Sequence, residues 1–529
     1  MLKRISLILL IIAPFATCKA QISRLGTDVE YAGEIHATMS DDQAPFWFVN
    51  NRYGLSSIED DFGYVRGSIR RSLNADSLRR WAVGYGIDLV VPHHFTSDFV
   101  LQQLYVETQY KYFRLTVGAK ELPMEFSNPE LSTGDMTMST NARPIPQLRL
   151  EMPDYWDIPG TDGWVGVKAH AAFGWFTDCN WLKSFTGNVP SHRYTSNARY
   201  HSKSLYFRIG NEKKLPLIFE GGLRIDCQFG GDAWHLSQRK DDTTYVDLSH
   251  VNLNNGLKTY WNALTFGGND PNDGNFKNTE GNHVGSWHGS LNYQGKGWSV
   301  RGYFEHQFDD HSQLFWQYGW KDMKWGIEAQ LPKNPFVSTM LVELISTKDQ
   351  TSAVYHDATE AIPIQISGRD NYYSHQVYGA WQHWGMTMGN PLLISPLYNE
   401  NHQITPYHNR ITATHLGIAG DPCPALHYRV LYTHMRSWGT YGDPLIDTRY
   451  NDFMLAEMTV KPHRLQGWSF TGAFGLNRGD LLKKSTGGSL SIRKEGILNR
   501  KCKNEKRRAK DMFIVKVRVS CCLRAACFL

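Results

Sequence analysis

The sequence predicts an all-β protein, a large antiparallel transmembrane β-barrel, and three observations carry that prediction. Segments with an apolar residue at every second position recur from Val29 to Arg493, most of them about 7–12 residues long, which suits tilted transmembrane strands. Aromatic residues are abundant, with 17 Trp, 26 Tyr and 25 Phe in 529 residues, yet the mean hydropathy is −0.43. A bundle of membrane helices would need several apolar spans of about 20 residues, and none follows the N-terminus. A barrel reconciles these facts, because lipid-facing and lumen-facing residues alternate and aromatic girdles mark the interfaces. A soluble sandwich is disfavoured by a polar face rich in Gly, Ala, Ser, Tyr and opposite charges. A propeller is disfavoured by the absence of a repeat of about 40–50 residues.

The N-terminus reads as a secretory signal over residues 1–20. Lys3-Arg4 precede the apolar run Ile5–Ala13, and Cys18-Lys19-Ala20 places a small residue before Gln21. Lipidation at Cys18 is the alternative, but Phe15-Ala16-Thr17 makes a poor lipobox. The formal charge of +5 misleads about the body. The signal contributes +3, and residues 499–529 contribute +8 from ten Lys/Arg against Glu505 and Asp511, so residues 21–498 stand at −6. A basic nucleic-acid surface is therefore not expected. Outside the signal and the tail only Cys179, Cys227 and Cys423 remain, with neither a disulfide framework nor metal-ligand spacing.

In chain order, Val29–Ala37 alternates and reads as the first strand. Ala44–Gly54 is aromatic and aperiodic, so a plug-like segment is expected over about 41–60. In Trp81–Val91 a bulky face (Trp81, Val83, Tyr85, Ile87, Leu89, Val91) opposes Ala82, Gly84, Gly86, Asp88 and Val90. Val100–Tyr112 and Phe113–Lys120 form a hairpin that turns near Lys111. Leu131–Gly134 and Asn141–Gln147 read as loops, since Pro144 and Pro146 forbid a central strand. Strands resume at Trp164–Trp175, Leu205–Gly210 and Leu217–Phe229, and residues 231–290 read as one long polar loop. Trp298–Phe308, Trp325–Leu331, Phe336–Leu344, Thr412–Ile418, Leu426–Arg436, Met454–Val460, Trp468–Leu476 and Ser489–Arg493 complete the series. Gly389–Pro396 and Ser437–Pro444 are expected to punctuate late barrel hairpins. The tail 499–529, basic and then Cys-rich, breaks every pattern and is read as a frameshifted terminus.

Several of these segments also carry a family likeness. Ala44–Gly54, Leu131–Gly134, Asn141–Gln147, Gly389–Pro396, Ser437–Pro444 and Gly487–Leu498 resemble the pattern of the Wzi capsule-assembly family. The resemblance implies an 18-stranded outer-membrane barrel of a Gram-negative bacterium, obstructed on the periplasmic side. It implies a lectin-like, non-enzymatic role, with capsular polysaccharide held at the cell surface. The implied partners are that polysaccharide, outer-membrane lipid and the barrel-assembly machinery, and the implied state is a monomer. A porin or transport barrel is the alternative.

Catalytic signatures are missing from the sequence. Gly-x-Ser-x-Gly, His-Glu-x-x-His, a phosphate-binding Gly-Lys-Ser/Thr loop and paired Cys-x-x-Cys are absent. No enzyme activity, cofactor or metal is expected. His93-His94 reads as a solvated turn, and the Asp270–Asn275 run has Gly281 where an EF-hand needs its bidentate Glu. Sugar binding needs flat aromatic faces plus Arg and amide groups. The candidates are Trp47, Arg52, Asn141, Arg143, Gln147, Trp438 and Tyr441, with an interface girdle as the competing role for the tryptophans. Glu220, Arg224, Asp226, Arg301 and Glu305 are expected to brace the lumen.

Overall fold

Alternation at this scale has a geometric consequence: strands that bury one face and expose the other must curl until the sheet meets itself. In the computed structural model they do, and the described residues are 25–498 apart from 78, 188, 240–244, 269–278, 310–313, 315–320, 333, 335 and 355–365. The signal, Cys18, the tail and the Asp270–Asn275 run lie outside the described residues. Eighteen antiparallel strands pair in sequence order, and Ser485–Ile497 closes the barrel against Val29–Ser40. One strand is interrupted: Gln147–Glu151 and Trp156–Asp157 both pair with Val165–Trp175.

The strand Thr339–Ser346 shows the logic. Met340, Val342 and Leu344 are exposed outward, while Leu341, Glu343 and Ile345 are buried inward. Exposed apolar residues facing out and a buried acid facing in invert the soluble pattern. The same holds around the wall, where Ile35, Val65, Leu104, Val117, Phe207, Ile327 and Leu490 are all exposed. An apolar belt this continuous is a lipid surface. The expected hairpin turn is tight, with Tyr110 pairing Phe113 and Lys111 at φ 52°.

Connections differ sharply at the two ends. At the end that carries both strand termini the turns are short, as at Lys111-Tyr112 and Pro424-Ala425. Residues 41–60, 120–146, 176–198, 230–281 and 347–410 all leave from the other end. Barrels of this kind keep short turns in the periplasm and long loops outside, which makes the long-loop end extracellular. The plug enters from that extracellular end and leaves an open cup on the periplasmic side, where the resemblance places the obstruction.

Two sequence expectations are corrected. Residues 231–290 are not one loop, since they hold a hairpin of Asp232–Arg239 with Tyr245–Asn252, a helix Leu257–Thr265, and the start of strand Asn282–Gln294. That strand escaped notice because Gly285 and Gly289 stand among its outward residues, thinning the apolar period. Gly389–Pro396 is no barrel hairpin either: Asn390, Leu392, Leu393 and Ser395 are fully buried in the plug. Its Asn-Pro reads as a turn in both settings, and only burial tells them apart.

The plug core explains the Leu131–Gly134 stretch. Glu343 on the wall accepts hydrogen bonds from Ser132 Oγ (2.6 Å), Thr133 N (2.8 Å), Thr133 Oγ1 (2.7 Å) and Tyr303 Oη (2.6 Å). Lys324 Nζ sits 2.8 Å from Glu305 and donates to Ser127 Oγ and Gly134 O at 2.7 Å each. Asn390 Nδ2 donates to Thr133 Oγ1 (2.9 Å) and Gly134 O (2.8 Å), tying the late insert to the early one. A Cβ on Gly389 would stand 2.1 Å from both Met136 O and Tyr373 Oη, so only glycine fits there. The lumen braces read from the sequence are present: Arg224 pairs with Asp226 (2.9 Å) and Arg301 with Glu328 (3.3 Å). Glu220 takes part through Ser290 and Asn292.

Candidate functional site

Two of the seven candidate residues serve the plug itself, and a third stands on the wall beside it. Trp47 lies in the short helix Phe46–Val49, 2% exposed, with its ring 5.5 Å from His415 and edge-on to Phe46. Neither girdle nor sugar platform describes it, because it faces neither lipid nor solvent. Asn141 is fully buried, accepting from Asn51 N (2.9 Å) and donating to Thr387 O (2.9 Å). Gln147 opens a barrel strand and lines a small cavity of about 60 Å³ beside Arg143 and Arg149.

Trp438 and Tyr441 share a different place, the extracellular rim. Along Leu426–Gly439 the inward residues Thr433, Met435 and Ser437 are buried, which puts Trp438 on the outward side with Tyr432. Lys348 Nζ lies 4.8 Å over the Trp438 ring and the Arg410 guanidinium 3.8 Å over Tyr441. Tyr441 Oη donates to Asp349 O (3.0 Å). An outward Trp above the apolar belt beside cations is interface-girdle geometry. Arg52 points into the lower lumen, bound to Glu457 at 2.9 Å.

Arg143 alone of the seven lies near the outer face of the plug, where it is buried at 7% exposure. Its Nη1 donates to Ser97 Oγ (2.9 Å) and its Nη2 to Thr96 Oγ1 (2.8 Å), both in the loop that follows strand Trp81–His93. Its guanidinium stacks 4.4 Å from the centre of the Trp384 ring. Gly54 makes room for it, since a Cβ there would stand 2.6 Å from Arg143 Cγ. Among the described residues Arg143 has no carboxylate within ion-pair distance, and Asp178 is the acid that acts on its charge from farther off.

Trp384 is the residue that sequence reading missed. Gln382–His383 and Met386–Thr387 pair as a miniature hairpin, and its two-residue turn is Trp384-Gly385 with φ of +57° and +80°. Both values are left-handed, as a tight hairpin turn demands. A tryptophan there is strained, and such strain concentrates at functional sites. The indole N–H donates to Thr177 Oγ1 (3.1 Å) and the backbone N–H to Asp178 Oδ2 (3.0 Å), fixing the half-buried ring. Trp181 packs against the turn, within 2.5 Å of where a Gly385 Cβ would stand. Trp181 stacks on Phe185 (4.8 Å), and Phe185 lies 4.8 Å from His402. The Trp-Gly pair between short alternating segments was the available signal.

The comparisons with known proteins agree with this architecture. No protein-family model and no curated protein matches the chain. Among solved structures it is similar to Wzi, an outer membrane protein involved in group 1 capsule assembly in Escherichia coli, described as a carbohydrate-binding β-barrel. That likeness has a TM-score of 0.54 at 13% identity, covering 90% of this chain and 86% of that one. The chain has the fold of an outer-membrane β-barrel. OccK5 of Pseudomonas aeruginosa follows at TM-score 0.44 and 8% identity, over 89% of this chain and 98% of that chain. OprD of the same organism matches at TM-score 0.42 and 9% identity, over 89% and 95%.

At the rim, His93 and His94 stack at 3.8 Å, and His94 Nδ1 lies 2.6 Å from Asp61 Oδ1. The three residues place possible ligand atoms within 4.8 Å of one another. His94 already commits Nδ1 to Asp61, so what the sequence presents as a His-His turn is a hydrogen-bonded cap on the strand end.

Proposed function

We propose that this protein is a non-enzymatic, plugged barrel of a Gram-negative outer membrane that holds an exported capsular polysaccharide at the cell surface. The observation that carries the reading is Trp384, displayed in strained left-handed backbone on the outer face of the plug with Arg143 stacked beneath it. An indole face matches the C–H face of a pyranose, and the buried Arg143 guanidinium holds that ring from behind. Trp181, Phe185 and His402 extend the aromatic surface for more than one sugar unit. The description of Wzi as a carbohydrate-binding barrel involved in capsule assembly supports the same reading.

Capsule retention in a deletion strain is the deciding experiment. Loss of cell-bound polysaccharide into the medium is expected, with restoration by the wild-type chain and not by Trp384→Gly. Wild-type retention in the deletion strain sinks the proposal. Single-channel recording separates the porin alternative, since a plug braced through Glu343 and Lys324 predicts no large stable conductance.

A further inference from the structure

Below the plug, on the side away from Arg143 and Trp384, the lumen holds a polar cavity of about 360 Å³. That is within the ~300–1,000 Å³ range of small-ligand sites. Its ceiling is plug residues Phe48, Arg52, Tyr53 and Leu55, and its walls come from the strands on both sides of the barrel closure. Along the first strand the inward Glu34 and His36 are half-buried and Thr38, nearer the extracellular end, is buried. The cavity is therefore sealed by the plug and opens toward the short-turn, periplasmic end.

Its lining is selective in chemistry. Thr38, Thr459, Ser469, Thr471, Ser489 and Ser491 supply six hydroxyls. His36 and Tyr64 stack at 5.0 Å with 21° between ring planes, offering one flat face. Glu457 lies between two guanidiniums, 2.9 Å from Arg52 Nη2 and 2.8 Å from Arg429 Nε. One carboxylate shared by two arginines leaves that trio net positive, with Glu34 the next acid that acts on Arg52. Arg493, by contrast, is matched by Glu34 and Glu495, and Arg66 by Asp88 and Glu121.

We propose that this cup is a second binding site, facing the periplasm, for a short saccharide that carries a carboxylate. The ring of hydroxyls meets the sugar hydroxyls, the His36–Tyr64 stack meets a pyranose face, and the Arg52–Arg429 pair receives the acid. The site goes beyond the surface role, lies on the opposite side of the plug from it, and stands or falls by its own residues.

The test is calorimetric titration of the purified full chain in detergent micelles with tri-galacturonate, using the neutral galactose trimer as control. Folding of each variant is checked by heat-modifiable gel mobility. Binding of the acidic trimer is expected, at least tenfold tighter than the neutral one. Arg429→Gln should weaken it about tenfold, leaving Glu457 still paired with Arg52. Glu457→Gln should tighten it several-fold, because the ligand carboxylate replaces the one removed. Opposite signs for two variants of one ion-pair trio are what a merely structural role would not give. If Arg429→Gln fails the mobility check, Ser491→Ala takes its place, with a several-fold loss expected. Equal affinity for the neutral trimer, no binding of the acidic one, or same-direction shifts in the two variants each overturn the proposal. Loss of binding in Trp384→Gly with Arg429→Gln unaffected would move the ligand to the outer face and also overturn it.

Discussion

At the centre of the barrel, Lys324 is fully buried against Glu305 at 2.8 Å, with Asp135 at 3.7 Å and Glu343 at 4.0 Å. At the outer face of the plug, Arg143 meets two hydroxyls and an indole but no carboxylate among the described residues. Both are cations held by inserts from the same end of the barrel, yet their surroundings are opposite. Lys324 has its charge matched and its donors used within the protein, so its worth is structural. Arg143, 7% exposed and without a paired carboxylate among the described residues, stacks on a strained, half-buried tryptophan, so its worth lies in the ring it positions. A matched cation locks the plug, and an unpaired one beneath a tryptophan holds a site in place.

The largest expected effect comes from breaking the lock. Lys324→Met leaves Glu305 and Glu343 buried without their cation, which typically costs about 3–5 kcal/mol. A lower midpoint for urea unfolding in micelles, together with new channel conductance as the plug loosens, is the expected result. A variant that unfolds like wild type and stays closed would show that the plug is held by its apolar contacts instead.

That lock was only half legible in the sequence. Alternation located most strands, and the Phe46–Val49 plug helix was placed by its aromatic, aperiodic composition. Leu131–Gly134 looked like an ordinary polar turn, because nothing in the chain reveals that Ser132 and Thr133 clamp a glutamate 210 residues away. Gly389–Pro396 failed for the same reason, since a turn motif carries no record of its burial. Among the site residues, Arg143 lies buried just under the outer face, whereas Trp47 and Asn141 lie deep in the plug. Side-chain chemistry was readable, but the direction each residue faces depends on long-range packing. Trp384 was missed because its signal is a φ value, which the sequence expresses only through the following Gly385.

Trp384→Gly sharpens the comparison by acting on binding without touching the lock. Glycine suits φ +57°, so the unfolding midpoint should hold or rise. Affinity for the surface polysaccharide should fall about tenfold, roughly 1.4 kcal/mol, as expected for an aromatic hot spot. A drop in stability with unchanged affinity would reverse the two roles. Arg143→Lys should show a smaller loss, about 1 kcal/mol, because a point charge cannot reproduce two hydroxyl contacts and a ring stack at once.

Trp438→Ala is expected to matter less still. Its outward position assigns it to the membrane interface, so glycan affinity in micelles should stay at the wild-type value, and insertion into bilayers should slow modestly. A tenfold loss of affinity would instead join the rim to the binding surface and undo the division between Trp438 and Trp384.

The smallest effect belongs to the fully exposed His94. Hydrogen bonds to the Asp61 backbone carbonyl and carboxylate raise the pKa of His94 above 6.5. A raised folded-state pKa means the contact is fully present below the unfolded value and is lost as pH rises through the folded one. This cap anchors the start of the loop that supplies Thr96 and Ser97 to Arg143. An NMR titration of the His94 ring should report a midpoint above 6.5 that falls part of the way back in Asp61→Asn, which keeps the backbone carbonyl, with the lock around Lys324 unaffected. If polysaccharide affinity weakens across the same midpoint, the cap is part of how Arg143 is held ready; if affinity stays flat, Trp384 alone positions it.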